Sequence, residues 1–95
     1  MKVSLSESAL ADLSSIAAYY TEQGVADIGS GIIADLIRRI EMLRAHPDLG
    51  RVVPEFDTPN LREIIHPPFR IVYRRETSRV SVVRVWRGER LLKLP

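Results

Sequence analysis

Polar and apolar residues alternate over Lys2–Leu5, which predicts a short first strand. The period then changes. Leu10, Leu13, Ile16, Ala17 and Tyr20 recur at helical spacing and form one apolar stripe, with Glu7, Asp12 and Ser15 expected to face outward. Ser6 stands where a helix needs its N-cap, and Glu7 puts a carboxylate in the positive first turn. Gln23-Gly24 ends this helix. A second helix is expected from about Ala26 to Ala45, with Ile33, Leu36, Ile37, Ile40 and Leu43 as its buried stripe. Gly29 and Gly31 each cost it about 1 kcal/mol relative to alanine. Either they allow close approach to the first helix, or the helix begins only after Gly31. His46-Pro47 stops it and Asp48-Leu49-Gly50 turns the chain, so the two helices form an antiparallel hairpin.

Period two returns in the second half. Arg51 to Glu55 is short and ends at a proline, so it reads as an edge or a loop. Leu61 to Ile65 reads as a strand stopped by His66-Pro67-Pro68. From Phe69 to Arg74, Phe69, Ile71 and Tyr73 share one face, and Arg70, Val72 and Arg74 share the other. Glu76-Thr77-Ser78 makes a turn, and Val80 to Trp86 is apolar on both faces, as a central strand is. The expected fold is α+β: a short N-terminal strand, a helical hairpin, then a three-stranded antiparallel meander with both helices on one sheet face. The other face would carry Arg70, Arg74, Arg84 and Trp86 in the open.

Ninety-five residues suit a single domain, 1–95, with a modest core. An apolar fraction of 45% and a charged fraction of 27% are those of a folded globular chain. The absence of cysteine excludes a disulfide framework and a cysteine nucleophile. No apolar run is long enough for a membrane span and no signal-peptide core is visible, so a cytoplasmic protein is expected. Net charge is only +2, but its distribution is uneven. From Phe69 onward Arg70, Arg74, Arg75, Arg79, Arg84, Arg87, Arg90 and Lys93 are opposed only by Glu76 and Glu89. Arginine is the side chain suited to bidentate contact with carboxylate or phosphate. The cluster is either a solvated sheet face or the seat of an anionic partner.

Chemistry beyond that cluster is sparse. Gly29-Ser30-Gly31 lacks the pattern and the lysine of a phosphate loop. His46 and His66 each precede a proline with no second ligand at metal spacing, so neither a metal nor another cofactor is expected. Phosphodiester cleavage would need a group that moves protons, and arginine holds its own proton at any working pH. The available candidates are Glu63, His66 at the rim, and Tyr73, which alternation assigns to the core. Trp86 is either cover for apolar surface or an interface anchor.

Leu61-Arg62-Glu63, Phe69-Arg70-Ile71-Val72-Tyr73-Arg74 and Val83-Arg84-Val85-Trp86-Arg87-Gly88-Glu89-Arg90 together resemble the ParE branch of the RelE/ParE toxin superfamily. Ser8-Ala9, Asp12-Leu13, Ile16 and Tyr19-Tyr20 look like the family's first helix, and His46-Pro47-Asp48-Leu49-Gly50-Arg51 like its helix-ending turn. The resemblance implies a small α+β toxin of a type II toxin–antitoxin pair, neutralised by a ParD-like antitoxin and bound to operator DNA only through it. The ParE branch implies DNA gyrase as target, with no catalytic site of the toxin's own. The RelE branch implies ribosome-dependent mRNA cleavage, for which this chain would offer Arg70, Arg84 and Arg90, with Glu63 or His66 as the base. Arg70 and Arg90 match arginines that RelE-type nucleases place at the phosphate. The paired lysines of RelE fall at Leu61 and Glu63, its late tyrosine has no counterpart here, and Arg87 stands where ParE relatives often have histidine. Target contacts are expected at Arg70, Arg74, Arg84, Trp86, Arg87 and Arg90, and antitoxin contacts at Leu36, Ile40, Arg51 and Arg62.

Overall fold

The computed structural model describes residues 1–88. A first strand, β1 (Lys2–Leu5), leads into helices α1 (Glu7–Glu22) and α2 (Ala26–Glu41) and a single 3-10 turn at Met42–Arg44. Four strands follow: β2 (Arg51–Val52), β3 (Leu61–His66), β4 (Phe69–Arg75) and β5 (Arg79–Arg87). They form one sheet in the order β1-β5-β4-β3-β2. The expected meander is its centre. β1 lies parallel to β5, with Lys2 opposite Arg79 and Leu5 opposite Val82, so the first strand pairs with the last. Both helices pack on one face, as expected. The fold is α+β, and no helix among the described residues is long and apolar enough to cross a membrane.

Local chemistry explains the helix boundaries. The Ser6 hydroxyl oxygen accepts from the Ala9 amide at 3.0 Å, capping α1, and its hydroxyl donates to the Val83 carbonyl at 3.0 Å. One serine thus starts the helix and ties it to β5. α2 begins at Ala26 rather than after Gly31, which decides between the two readings of its glycines. A methyl group on Gly29 would lie 2.7 Å from Tyr20 Cβ, whereas one on Gly31 would meet open space. Only Gly29 therefore marks a close helix crossing. Gly31→Ala should stabilise the protein by about 1 kcal/mol through helix propensity. Gly29→Ala should destabilise it, because the clash outweighs the same gain. Paired urea midpoints check the opposite signs.

The principal core joins Ala9, Leu13, Leu36, Ile40 and Leu43 to Phe69, Ile71, Tyr73, Val80, Val82 and Val85. Several helical expectations need correction, among them Ile37, placed in the buried stripe of α2 and in fact exposed. Leu10 is exposed and Ala9 takes its place in the core. Asp12 does not face outward but turns toward β5, with its side chain 15% exposed. The α-helical hydrogen bonding of α2 also ends earlier than expected, at Glu41, with Met42–Arg44 tightening into the 3-10 turn. On the opposite sheet face Val53, Leu61 and Val72 form a smaller cluster, with Val83 and Trp86 packed against it.

Two local devices shape the sheet. The pairing of β4 and β5 shifts between Val72, opposite Arg84, and Tyr73, opposite Val82, so Val83 is the extra residue of a bulge. Val82 and Val85 can therefore both face the helices. The second device is Tyr73. Its buried hydroxyl oxygen accepts from the Gly50 amide at 2.8 Å and its O–H donates to the Pro47 carbonyl at 2.9 Å, pinning the turn after the helices onto β4. Burial pushes this phenol above its ordinary pKa, partly offset by the Gly50 amide.

Candidate functional site

The β3–β4 hairpin turns at Pro67-Pro68, and a network of four charged groups lies near that end of the sheet. Glu63 on β3 has a fully buried side chain. One of its oxygens accepts from Arg70 Nε on β4 at 2.6 Å, the other from Arg51 Nε on β2 at 2.8 Å. The register makes this inevitable: Glu63 stands opposite Arg51 on one side and Val72 on the other, one pleat from Arg70. Arg70 turns its remaining nitrogens to Glu55, in the loop after β2, with both bonds of the fork made at 2.7 and 2.9 Å. Its side chain is only 9% exposed. These hydrogen bonds hold Glu55 below the usual carboxylate range and raise Arg70. A depressed carboxyl stabilises the fold above its unfolded pKa, so the Glu55 contribution is lost as pH falls through the lowered value.

The expectation of an open arginine face is therefore corrected. Arg70 is buried between two carboxylates. Arg84 is engaged as well: its Nε and Nη2 donate to the two oxygens of Asp12 on α1 at 2.7 and 2.8 Å, while its guanidinium lies 4.0 Å from the centre of the Trp86 ring. Arg75 pairs with Asp48 and Arg79 with Glu76. Arg87 lies over the Phe69 ring. Arg74 has no carboxylate partner among the described residues and is half-buried. Arg90 lies outside the described residues. The stretch that looked like unopposed positive charge is largely neutralised from elsewhere in the chain.

The proton-transfer candidates fare no better. Glu63 is sealed between two guanidiniums and Tyr73 is pinned in the core, so neither faces a substrate. His66 is half-exposed at the end of β3, opposite Phe69. Of the expected antitoxin contacts, Leu36 and Ile40 are core residues with 0% and 1% exposure and offer no surface to a partner. Arg62 bends back to donate to the Gly50 carbonyl at 2.8 Å. Arg51 alone of the four projects well into solvent.

What the sequence reading missed lies at the other edge. β1 stops opposite Val82, and β5 runs five residues further, to Arg87. The Asp12 carboxylate steps in where a further strand would pair, accepting from the Val85 amide at 2.8 Å. Beside it a groove of about 380 Å³ separates α1 from this stretch, walled by Ile16, Tyr19, Tyr20, Phe69 and Trp86. Tyr19 is more than half exposed, and the Trp86 indole nitrogen is buried with no hydrogen-bond partner among the described residues. The signal for Asp12 was available as a charge imbalance. All but two of the twelve acidic residues precede Phe69, so partners for the late arginines had to come from upstream.

Comparison with known proteins agrees with this architecture. A family model described as the ParE toxin of the type II toxin–antitoxin system parDE matches residues 3–92. No curated protein matches at a significant level. Among solved structures, a chain from the chromosomal ParDE toxin–antitoxin system of P. aeruginosa superposes with a TM-score of 0.79 at 21% identity, covering 94% of this chain and 97% of that one. At that identity the likeness shows a shared fold.

Proposed function

The chain belongs to the ParE family of toxins of type II toxin–antitoxin systems, and from that membership we propose that it acts in the cytoplasm by binding DNA gyrase, without a catalytic site of its own, and is neutralised by a ParD-like antitoxin. The observation that carries the non-enzymatic reading is the state of the arginines. Arg70 and Arg84, two of the residues a nuclease of the RelE type would aim at a phosphate, are engaged by the protein's own carboxylates, Arg70 by Glu63 and Glu55 and Arg84 by both oxygens of Asp12. A guanidinium neutralised by a fixed internal carboxylate, Glu63 for Arg70 and Asp12 for Arg84, contributes little to a developing negative charge. Glu63, the expected base, is committed in the same way.

In this reading Arg74, Trp86 and Arg87, together with Arg90, form the target surface. The antitoxin lays its partner segment along the groove between α1 and the uncovered stretch of β5, where aromatic walls and an open strand edge suit an added strand or helix. Operator DNA is reached only through the antitoxin.

The deciding experiment is a gyrase assay with purified toxin. Supercoiling is expected to fall and cleavage complexes to accumulate as toxin is titrated, and added antitoxin should reverse both. Unchanged supercoiling and cleavage at excess toxin would remove gyrase as the target. New 5′ ends on translated messages after induction would then point to the ribosome instead.

A further inference from the structure

The two carboxylates of the charged network are not equivalent. Glu63 is buried on a central strand and cannot leave without opening the sheet. Glu55 sits in the loop between β2 and β3, with its side chain 35% exposed and exposed residues on both sides. The loop is anchored separately, by the buried Val53, whose amide donates to the Leu61 carbonyl at 3.1 Å. Rotation of the Glu55 side chain alone would therefore uncover the outer fork of Arg70 and leave the anchor in place. Beside that fork lies a cavity of about 400 Å³, bounded by Arg51, Ile65, Pro67, Pro68, Phe69 and Gly88. Ile65 is an exposed apolar residue in its wall, and Phe56, next in the chain to Glu55, is exposed as well.

We propose that Arg70 and Arg51, with the apolar cavity beside them, form a docking site for an acidic side chain of a protein partner, and that Glu55 is a resident stand-in which the partner's carboxylate displaces. The charge balance supports exchange rather than simple addition. With Glu55 in place, two guanidiniums meet two carboxylates and the cluster is neutral. With Glu55 turned out, a net positive fork remains beside one fixed carboxylate, which is the complement of a single incoming acid. The resident ligand also states the geometry: a planar carboxylate taken by both terminal nitrogens. The walls state the rest. Two prolines, an isoleucine and a phenylalanine suit an acidic residue flanked by apolar ones. A nucleic acid strand would need further cations at the spacing of successive phosphates, and this pocket has none among its described walls.

The test uses the full chain and an acetylated, amidated tripeptide with the sequence of residues 54–56, Pro-Glu-Phe, as probe. Side-chain NMR of the Arg70 Nε–H reports occupancy. In wild-type protein the resident carboxylate competes, so binding is weak. Glu55→Ala should bind the tripeptide saturably and about tenfold more tightly, the gain expected when a competing occupant is removed. Glu55→Gln, which keeps the shape of the loop, should give an intermediate gain. Adding Arg51→Ala to Glu55→Ala should weaken binding again. The proposal is overturned if a folded Glu55→Ala protein shows no saturable shift, or if the glutamine version of the tripeptide binds equally well, since apolar contact would then explain everything. It is also overturned if inorganic phosphate or oligothymidylate binds more tightly than the carboxylate peptide. No gyrase enters the measurement, so this result and the gyrase assay can fail independently.

Discussion

Glu63→Gln should lower stability by about 3–5 kcal/mol, the range for breaking a buried ion pair by removing one partner. Glutamine matches glutamate in shape, so the effect isolates charge and acceptor number. Glu63 uses one oxygen for Arg70 and the other for Arg51. An amide has only one acceptor oxygen, and its NH2 would face a guanidinium that can only donate. Arg70, nearly sealed from water, would keep Glu55 as its one compensating charge. A domain of this size loses about 4–8 °C of melting temperature per kcal/mol, so the drop should exceed roughly 12 °C in a thermal melt followed by circular dichroism. The double variant Glu63→Leu with Arg70→Met should recover most of that loss, because replacing both charges by apolar groups of similar volume removes the desolvation cost together with the attraction. A double variant as unstable as Glu63→Gln would show that the network is held for its packing and not for its charge balance.

Gly50→Ala should be comparably damaging, by roughly 3 kcal/mol or more, although it adds a single methyl group. That methyl would stand 2.5 Å from the Glu63 carbonyl oxygen and 2.8 Å from the Tyr73 ring. Neither neighbour can yield, one being backbone of an inner strand and the other a fully buried ring. The turn would have to move away from β3, and Gly50 is held there on both sides. Its amide donates to Tyr73 and its carbonyl accepts from Arg62. Each lost bond leaves a poorly hydrated polar group, at about 1–3 kcal/mol. Hydrogen exchange of the Gly50 amide gives a second readout, expected to be among the protected amides in the wild type and to lose protection in the variant. Retained protection with unchanged stability would show that β3 can shift to admit the methyl.

The elements were legible because their periods are strong: Leu13, Ile16 and Tyr20 set one helix, Leu36 and Ile40 the other, and Phe69, Ile71 and Tyr73 a strand. β1's place was not legible, since four alternating residues say nothing about which strand they join. Nor was the bulge. Strict alternation would put Val80 and Val82 on the same face as Arg84 and Trp86, and only an extra residue at Val83 lets the first pair enter the core while the second pair faces away. The arginines were read from their density along the chain, and density does not reveal partners 15 or 72 positions away, as Glu55 is from Arg70 and Asp12 from Arg84. The same limit misplaced Leu36 and Ile40: an apolar stripe identifies a face that must be covered, but covering by the chain's own sheet and covering by a second protein look alike in one dimension.

The pairing of β1 with β5 also has a temporal meaning. Lys2 to Leu5 are synthesised well before the strand they must join, Arg79 to Val82. At roughly 5–20 residues per second the edge waits several seconds for its partner. Contacts so distant along the chain are closed late and slowly. The helical hairpin can assemble early, but the groove beside α1 acquires its second wall only when β5 has emerged. The surface along that edge therefore comes into being only once Arg79 to Arg87 have been made, and a nascent chain that has not reached them carries none of it.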